Sequence, residues 1–363
     1  MPWLRQLSSI SKPFRRIESA KQLARRMTAL PNTYEGASIP SPWSPLSPRP
    51  LPPAILLTLA YRIRPCPYRC HWRHWTARAA WIHPGCLPVY LDSLGRTVLP
   101  ITILHHQCKH NSKTVAVAFL SRHGAHHQIA PHEVPARANI AALRSIGVRS
   151  IIAFSAVGSL QEEIKPRDFV IPDQIIDRTK GVRPWTYFEG GVVAHVPFGD
   201  PFDEGIAEVV RKCGHSLEGD GVVLHDRGTI VCMEGPQFST RAESNMYRAW
   251  GGSVINMSVL PEAKLAREAE IAYQMICMST DYDCWHSSAD VTVEMVMGNM
   301  KANADNARRF VTAVLDALAA DEHTDLVQAK HLAGGIKFGV STAQTQWSPE
   351  AKKKLDWLFP GYF

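Results

Sequence analysis

No run of eighteen or more uninterrupted apolar residues occurs in this 363-residue sequence, so no membrane-spanning helix is expected. No secretory leader pattern is visible, and the eight cysteines (Cys66, Cys70, Cys86, Cys108, Cys213, Cys232, Cys277, Cys284) are scattered through a long chain. That spacing suits reduced thiols, and a cytoplasmic and nuclear location is expected. There is no P-loop, no Rossmann GxGxxG and no Ser-His-Asp order, which leaves the NTPase and hydrolase readings without support. No internal repeat is visible. Acids and glycines are scarce in residues 1–98, with three Asp or Glu against fourteen Lys or Arg, and three of the 23 glycines. The remainder carries 26 basic and 30 acidic residues, so the net charge of +7 belongs to the front end. A basic body that would attract nucleic acid is therefore absent, and no nucleic-acid or membrane partner is expected.

What residues 1–98 do contain is fourteen of the 26 prolines and five of the ten tryptophans. The stretch PSPWSPLSPRPLPP (Pro40–Pro53) is incompatible with a helix or a central strand, because proline removes backbone donors and restricts its neighbours. CPYRCHWRHW (Cys66–Trp75) superficially suggests a metal site, but lacks the loop a zinc finger places between its ligand pairs. The first 26 residues, Arg- and Ser-rich with one acid, resemble a mitochondrial presequence; a true start at Met27 is the favoured alternative. Residues 1–98 are expected to be irregular, either disordered or not authentic coding sequence, followed by a folded domain over 99–320 and a carboxy-terminal extension over 321–363.

From about Pro100 strand and helix patterns alternate. TVAVAFLS, SIIAFSAVGSL, DFVIPDQIID, GTIVCM, SVINMSV and IAYQMICMST read as strands. ANIAALRSIG, FDEGIAEVVRKCGHSL, RAESNMYRAWGG, PEAKLAREAE and the long VTVEMVMGNMKANADNARRFVTAVLDALAA read as helices. This is an α/β protein with a mixed, largely parallel central sheet flanked by helices. A final helix is expected after Ser348-Pro349.

Ligands in such sheets collect where strands end in loops, and here those places are polar. After TVAVAFL comes SRHGAHHQ, whose Arg122-His123 pair suits an oxyanion; a surface cation pair or a histidine metal site is the alternative. His123, His126, His127 and His132 fit no known ligand geometry, so no metal is assigned there. FSAVGSL offers Ser155, Ala156 and Gly158 in what reads as a small-residue turn, suited to phosphate or simply to close packing. Asn256, Met257 and Ser258 repeat the theme, with the methionine a cover for a sugar face or core filler. In MEGPQFSTRAES, Ser239 or Thr240 is the cap, with Glu243 in capping-box position to Thr240, while Phe238 is placed either to stack on a planar ligand or to serve as a hydrophobic staple. Finally TDYD sets Asp281 and Asp283 two residues apart at a strand end, and hence on one side.

Together and in order, SRHGAHHQIAPHEVPARANIAALRSIGVRSIIAFSAVGSL, EGPQFSTRAES, VINMS and TDYDCW closely resemble the methylthioadenosine phosphorylase branch of the trimeric purine nucleoside phosphorylases, with a fungal character. The resemblance runs from about Pro100 to about Ala320. It implies phosphorolysis of S-methyl-5′-thioadenosine to adenine and 5-methylthioribose 1-phosphate, in purine and methionine salvage, by a homotrimer. It implies inorganic phosphate as co-substrate and no cofactor. By that resemblance Arg122, His123, Ser155, Ala156 and Ser258 hold phosphate, and Met257 covers the ribose. Phe238 and Ser239 line the base pocket with Gly158 and Asn256 close by, and Asp281 and Asp283 face the purine edge. His127 and His195 lie near the phosphate and the 5′ substituent, His195 reaching across a subunit interface, and Val293, Val296 and Met297 line a methylthio pocket. Members open with a strand and a Gly-Gly-Thr-Gly loop, which is not found between MTALPNTYEG and LPITILHH. Two alternatives follow: a catalytically impaired nucleoside-binding or oligomerising homologue, or a phosphorylase of 6-oxo purine nucleosides.

Overall fold

The structure, a computed structural model, describes residues 54–58, 80–81, 101–109, 113–124, 126–219, 221–287 and 291–363. Ala54–Thr58 (β1), Ala80–Trp81 (β2), Thr102–Gln107 (β3) and Thr114–Phe119 (β4) precede the first helix, Ala136–Ser145 (α1). Val148–Ser159 (β5), Phe169–Val170 (β6), Gln174–Arg178 (β7), Glu204–Lys212 (α2), Leu224–His225 (β8), Thr229–Met233 (β9) and Arg241–Ala249 (α3) follow. Then come Val254–Asn256 (β10), Glu262–Glu268 (α4), Ala272–Tyr282 (β11), Val293–Ala302 (α5) and Ala304–Leu318 (α6). Three further helices close the chain: Thr324–Val327 (α7), Gly335–Gly339 (α8) and Pro349–Leu358 (α9).

The strands form one mixed sheet in the order β2-β3-β4-β1-β5-β10-β9-β7, with β11 on the other edge of β5 and joined through β6 to β8. Its axis is β5, twelve residues long and almost wholly buried. One edge of β5 pairs with β1 over Val148–Ala153 and then, beyond a gap, with β10 at Gly158 and Ser159. The other edge pairs in parallel with β11 from Ser150 to Ser159. Alternate residues of β5 serve opposite faces, as pleating requires. Ile151, Ala153 and Val157 join a core with residues of α1, α4 and α9, whereas Ile152 and Phe154 join a core with residues of α2 and α6.

Three elements differ from the sequence reading. No inner strand was expected from residues 1–98, yet Ala54–Thr58 lies between β4 and β5, parallel to both. Its text, AILLT, is a short apolar run directly after two prolines, and a strand bonded on both edges shows no alternation to reveal it. The rest of 1–98, including Pro40–Pro53, Cys66–Trp75 and the presequence-like start, lies outside the described residues apart from Ala80–Trp81. DFVIPDQIID is two strands with different partners, β6 with β11 and β8, β7 with β9. Pro172 sits in the break, where it has no donor to give to a ladder. The single long helix after Thr292 is α5 and α6, parted at Asn303, whose amide donates to the Arg167 carbonyl at 2.7 Å instead of facing water.

The expected final helix is α9, capped by the Ser348 hydroxyl at Ala351 N. Its end is anchored on α1, where buried Arg144 donates to the Leu358 carbonyl at 3.0 Å and lies 4.7 Å over the Phe359 ring.

Candidate active site

The two acids owe their placement to an irregularity in the β5–β11 ladder. Pairing slips between Ser279 and Asp281, so Thr280 is an extra residue and Asp281 falls opposite Gly158. Such bulges re-aim side chains. Pairing then continues, with Asp283 N donating to the Ser159 carbonyl at 2.9 Å. A Cβ built on Gly158 would stand 3.1 Å from Asp281 Oδ1 and 3.4 Å from Asp283 Cβ, so both acids overhang the same strand position, as the two-residue spacing implied. Gly158→Ala is expected to cost about 1–3 kcal/mol in a urea unfolding experiment and to lower activity, because Asp281 or Ile255 must yield to the methyl group.

Asp281 and Asp283 are 4% and 3% exposed. Burial raises the Asp281 carboxyl to about 6, opposed by the Thr280 hydroxyl that donates to Oδ2 at 2.7 Å and assisted by the charge of Asp283. Burial also raises Asp283, opposed by Ser244, the Cys284 amide and Ser239. Ser244 is near enough to act electrostatically, yet neither its hydroxyl nor Asp283 Oδ2 has a hydrogen-bond partner of normal geometry. A buried carboxylate oxygen without a donor is costly unless a ligand supplies one.

Three residues along β5 lies a second polar group. Ser155 and Ser258 hydroxyls are 3.1 Å apart, and the Asn256 amide donates to both, at 3.0 and 3.2 Å. Ser155 donates in turn to the Ala156 carbonyl at 2.9 Å, which leaves Ser258 with a proton to give. Asn256 Oδ1 is buried without a partner. Here the sequence reading needs correcting in one respect. Ser155, Ala156 and Gly158 lie within β5 and not in a turn after it, because the strand continues to Ser159, paired with β11 on one edge and, at Gly158 and Ser159, with β10 on the other.

Arg122 and His123 occupy the turn after β4 and line a small open cavity with Met257 and Ser258. Arg122 is 1% exposed; three of its donors are held, Nε and Nη2 by Glu262 at 2.9 and 2.8 Å and Nη1 by the Phe154 carbonyl at 3.0 Å. Two N–H groups of the fork remain for a ligand. Burial pushes the His123 imidazole down to about 4, so it is neutral near pH 7. Its Nδ1 lies 2.9 Å from the Ile129 carbonyl, which can only accept; the proton therefore sits on Nδ1, and Nε2 is left as an acceptor for a protonated phosphate oxygen. The His127 ring lies 4.8 Å from that of His123.

The remaining predicted residues are more dispersed. Gly235, at φ +68, approaches Met257 so closely that a Cβ would collide with Sδ. Ser239 is buried beside Asp283, while Phe238 is 44% exposed in the loop before α3. Val293 and Met297 are exposed on α5, and Val296 packs on the second core. Asn299, one turn on from Val296, donates to the Thr280 carbonyl at 2.7 Å and so ties α5 to the strand end bearing Asp281. His195 stands apart. It is exposed on the segment whose amide donates to the Gly339 carbonyl, and among the described residues no hydrogen bond or ion pair links its side chain to the other site residues.

Residues 105–316 match the model of a family described as the phosphorylase superfamily. An S-methyl-5′-thioadenosine phosphorylase of Aspergillus fumigatus is 73% identical over 361 residues, 99% of this chain and 97% of its own length. One of Emericella nidulans is 68% identical over 362 residues, 99% of this chain and 94% of its own. The chain belongs to the phosphorylase superfamily. Among solved superfamily structures, a methylthioadenosine phosphorylase from an antarctic soil metagenomic library has a TM-score of 0.69 at 36% identity, covering 86% of this chain and all of its own. A Schistosoma mansoni methylthioadenosine phosphorylase in complex with adenine has a TM-score of 0.66 at 27% identity, covering 79% of this chain and 98% of its own.

Within this superfamily chain the sequence reading missed the braces behind the site. Glu262 clamps Arg122 and accepts from the Tyr273 hydroxyl at 2.8 Å. Arg183, 4% exposed, donates to the Met257 and Leu260 carbonyls, both at 2.7 Å, and pairs with Glu234, so that it joins the loop of Gly235 to that of Met257. In sequence Glu262 looks like an acid favoured at a helix start, and Arg183 like a loop cation. Burial of both, which periodicity does not report, is what distinguishes them.

Proposed function

We propose that the chain catalyses reversible phosphorolysis of S-methyl-5′-thioadenosine, giving adenine and 5-methylthioribose 1-phosphate. The carrying observation is the buried Asp281–Asp283 pair over Gly158, with Ser155 three residues back along β5 in contact with Ser258, which shares a cavity with Arg122 and His123. A phosphate oxygen attacks the anomeric carbon as the bond to adenine breaks, and the electron pair moves into the imidazole ring of the base. Asp281, with its pKa about 6, gives or shares a proton with that ring nitrogen. Asp283 accepts from the exocyclic amine through its unpartnered oxygen. A 6-oxo purine presents an acceptor there instead, which disfavours it by roughly 1–3 kcal/mol.

Phosphate is the co-substrate in this reading and no cofactor takes part. A homotrimer is proposed as the working form; His195 lies outside the pocket of its own chain, and exposed Val193 and Phe338 border its segment, a surface suited to a second copy. A cytoplasmic and nuclear location, and a place in purine and methionine salvage, complete the proposal.

Adenine release from methylthioadenosine is expected only when phosphate is present, with a preference over inosine of roughly ten- to hundredfold in kcat/KM. Release without phosphate, or inosine as the better substrate in a competition assay, would overturn the assignment.

A further inference from the structure

We propose that His106, Cys108 and Asp316 form a binding site for one zinc ion, away from the reaction, where the β3–β4 hairpin meets α6. An imidazole nitrogen, a thiol sulfur and a carboxylate oxygen from these residues all lie within 4.8 Å of one another. His106 is 2% and Cys108 4% exposed, and the Asp316 side chain is 7% exposed. His106 Nε2 already contacts Asp316 Oδ1 at 2.7 Å across 210 residues of sequence.

A buried His–Asp pair accounts for that contact alone. It does not account for a buried thiol converging on the same point, and the three together are the mixed N, S and O set that zinc prefers. Zinc bonds of about 2.0–2.3 Å place tetrahedral ligand atoms roughly 3.3–3.8 Å apart. The His–Asp contact would open and the sulfur would approach. Outer contacts are in place as well. The Lys109 amide donates to Asp316 Oδ1 at 3.3 Å and orients the carboxylate, and Cys108 N donates to the Lys113 carbonyl at 2.8 Å, closing the hairpin behind the thiol. Water fills the fourth position. The three ligands come from the β3–β4 hairpin and from α6, so the ion acts as a clasp between hairpin and helix.

The full chain, loaded with excess zinc chloride and then passed through gel filtration, is expected to retain one zinc per chain by elemental analysis and to melt at a higher temperature than the chelator-treated protein. Cobalt(II) in its place is expected to show a thiolate-to-cobalt charge-transfer band. Cys108→Ser abolishes the band, and both Cys108→Ser and Asp316→Asn weaken retention at least about tenfold while leaving phosphorolysis intact. No retained zinc, no band in the unaltered protein, or retention in both variants equal to the unaltered chain would each overturn the proposal. Should Cys108→Ser fail to fold, the cobalt spectrum of the unaltered protein and the Asp316→Asn variant decide the question.

Discussion

Asp281→Asn is expected to be more stable than the unaltered protein at pH 8 and almost inactive. A carboxyl whose pKa rises on folding, from 3.8 to about 6, is held protonated by the folded chain. Below 3.8 both states are protonated and Asp281 makes no difference. Between 3.8 and about 6 the unfolded chain ionises first, so stability falls as pH rises, and above about 6 the penalty is complete. The difference corresponds to about 3 kcal/mol. Asparagine removes the ionisation, so urea unfolding is expected to show a gain of that order at pH 8 and little or none at pH 4. The same change deletes the proton donor, and a loss of roughly 10²–10⁴ in kcat/KM is expected. A stability gain independent of pH, or near-normal turnover, would contradict the role given to Asp281.

Glu262 gives the second large effect. Burial by itself would lower the Arg122 pKa, but Glu262 and Tyr273 more than reverse this, and the guanidinium stays charged in a site 1% exposed. Glu262→Ala leaves that charge buried without its partner, a change that costs about 3–5 kcal/mol. Glu262→Gln preserves shape but turns an amide donor toward the fork. Its KM for phosphate is expected to rise roughly ten- to hundredfold while KM for the nucleoside moves little. If both constants shift together, or neither does, Glu262 supports the fold and does not position Arg122.

The site residues on strand ends and loops were legible because their chemistry is unusual for those places. Asp281 and Asp283 follow the end of one apolar run, and Asn256 and Ser258 follow another. Their mutual geometry was less legible. The extra residue at Thr280 that aligns Asp281 with Gly158 leaves no mark in composition or period, since a bulge is a property of two strands together. β1 was hidden for a related reason, an apolar pentapeptide in proline-rich surroundings being recognisable only by its neighbours β4 and β5. Glu262 and Arg183 are typed by sequence as surface charges, and only tertiary packing turns them into buried braces.

The β5 strand carries Ser155 in the phosphate cluster and Gly158 beneath the paired acids. At about 3.3 Å per residue these stand roughly 10 Å apart, fixed by covalent geometry and by ladders on both edges. The strand is thus a ruler on which the two halves of the pocket are marked off. Lengthening or shortening it by one residue between Ser155 and Gly158 would do more than stretch the pocket. Ser155 and Gly158, three residues apart, stand on opposite faces of β5, and a change of one residue would put them on the same face.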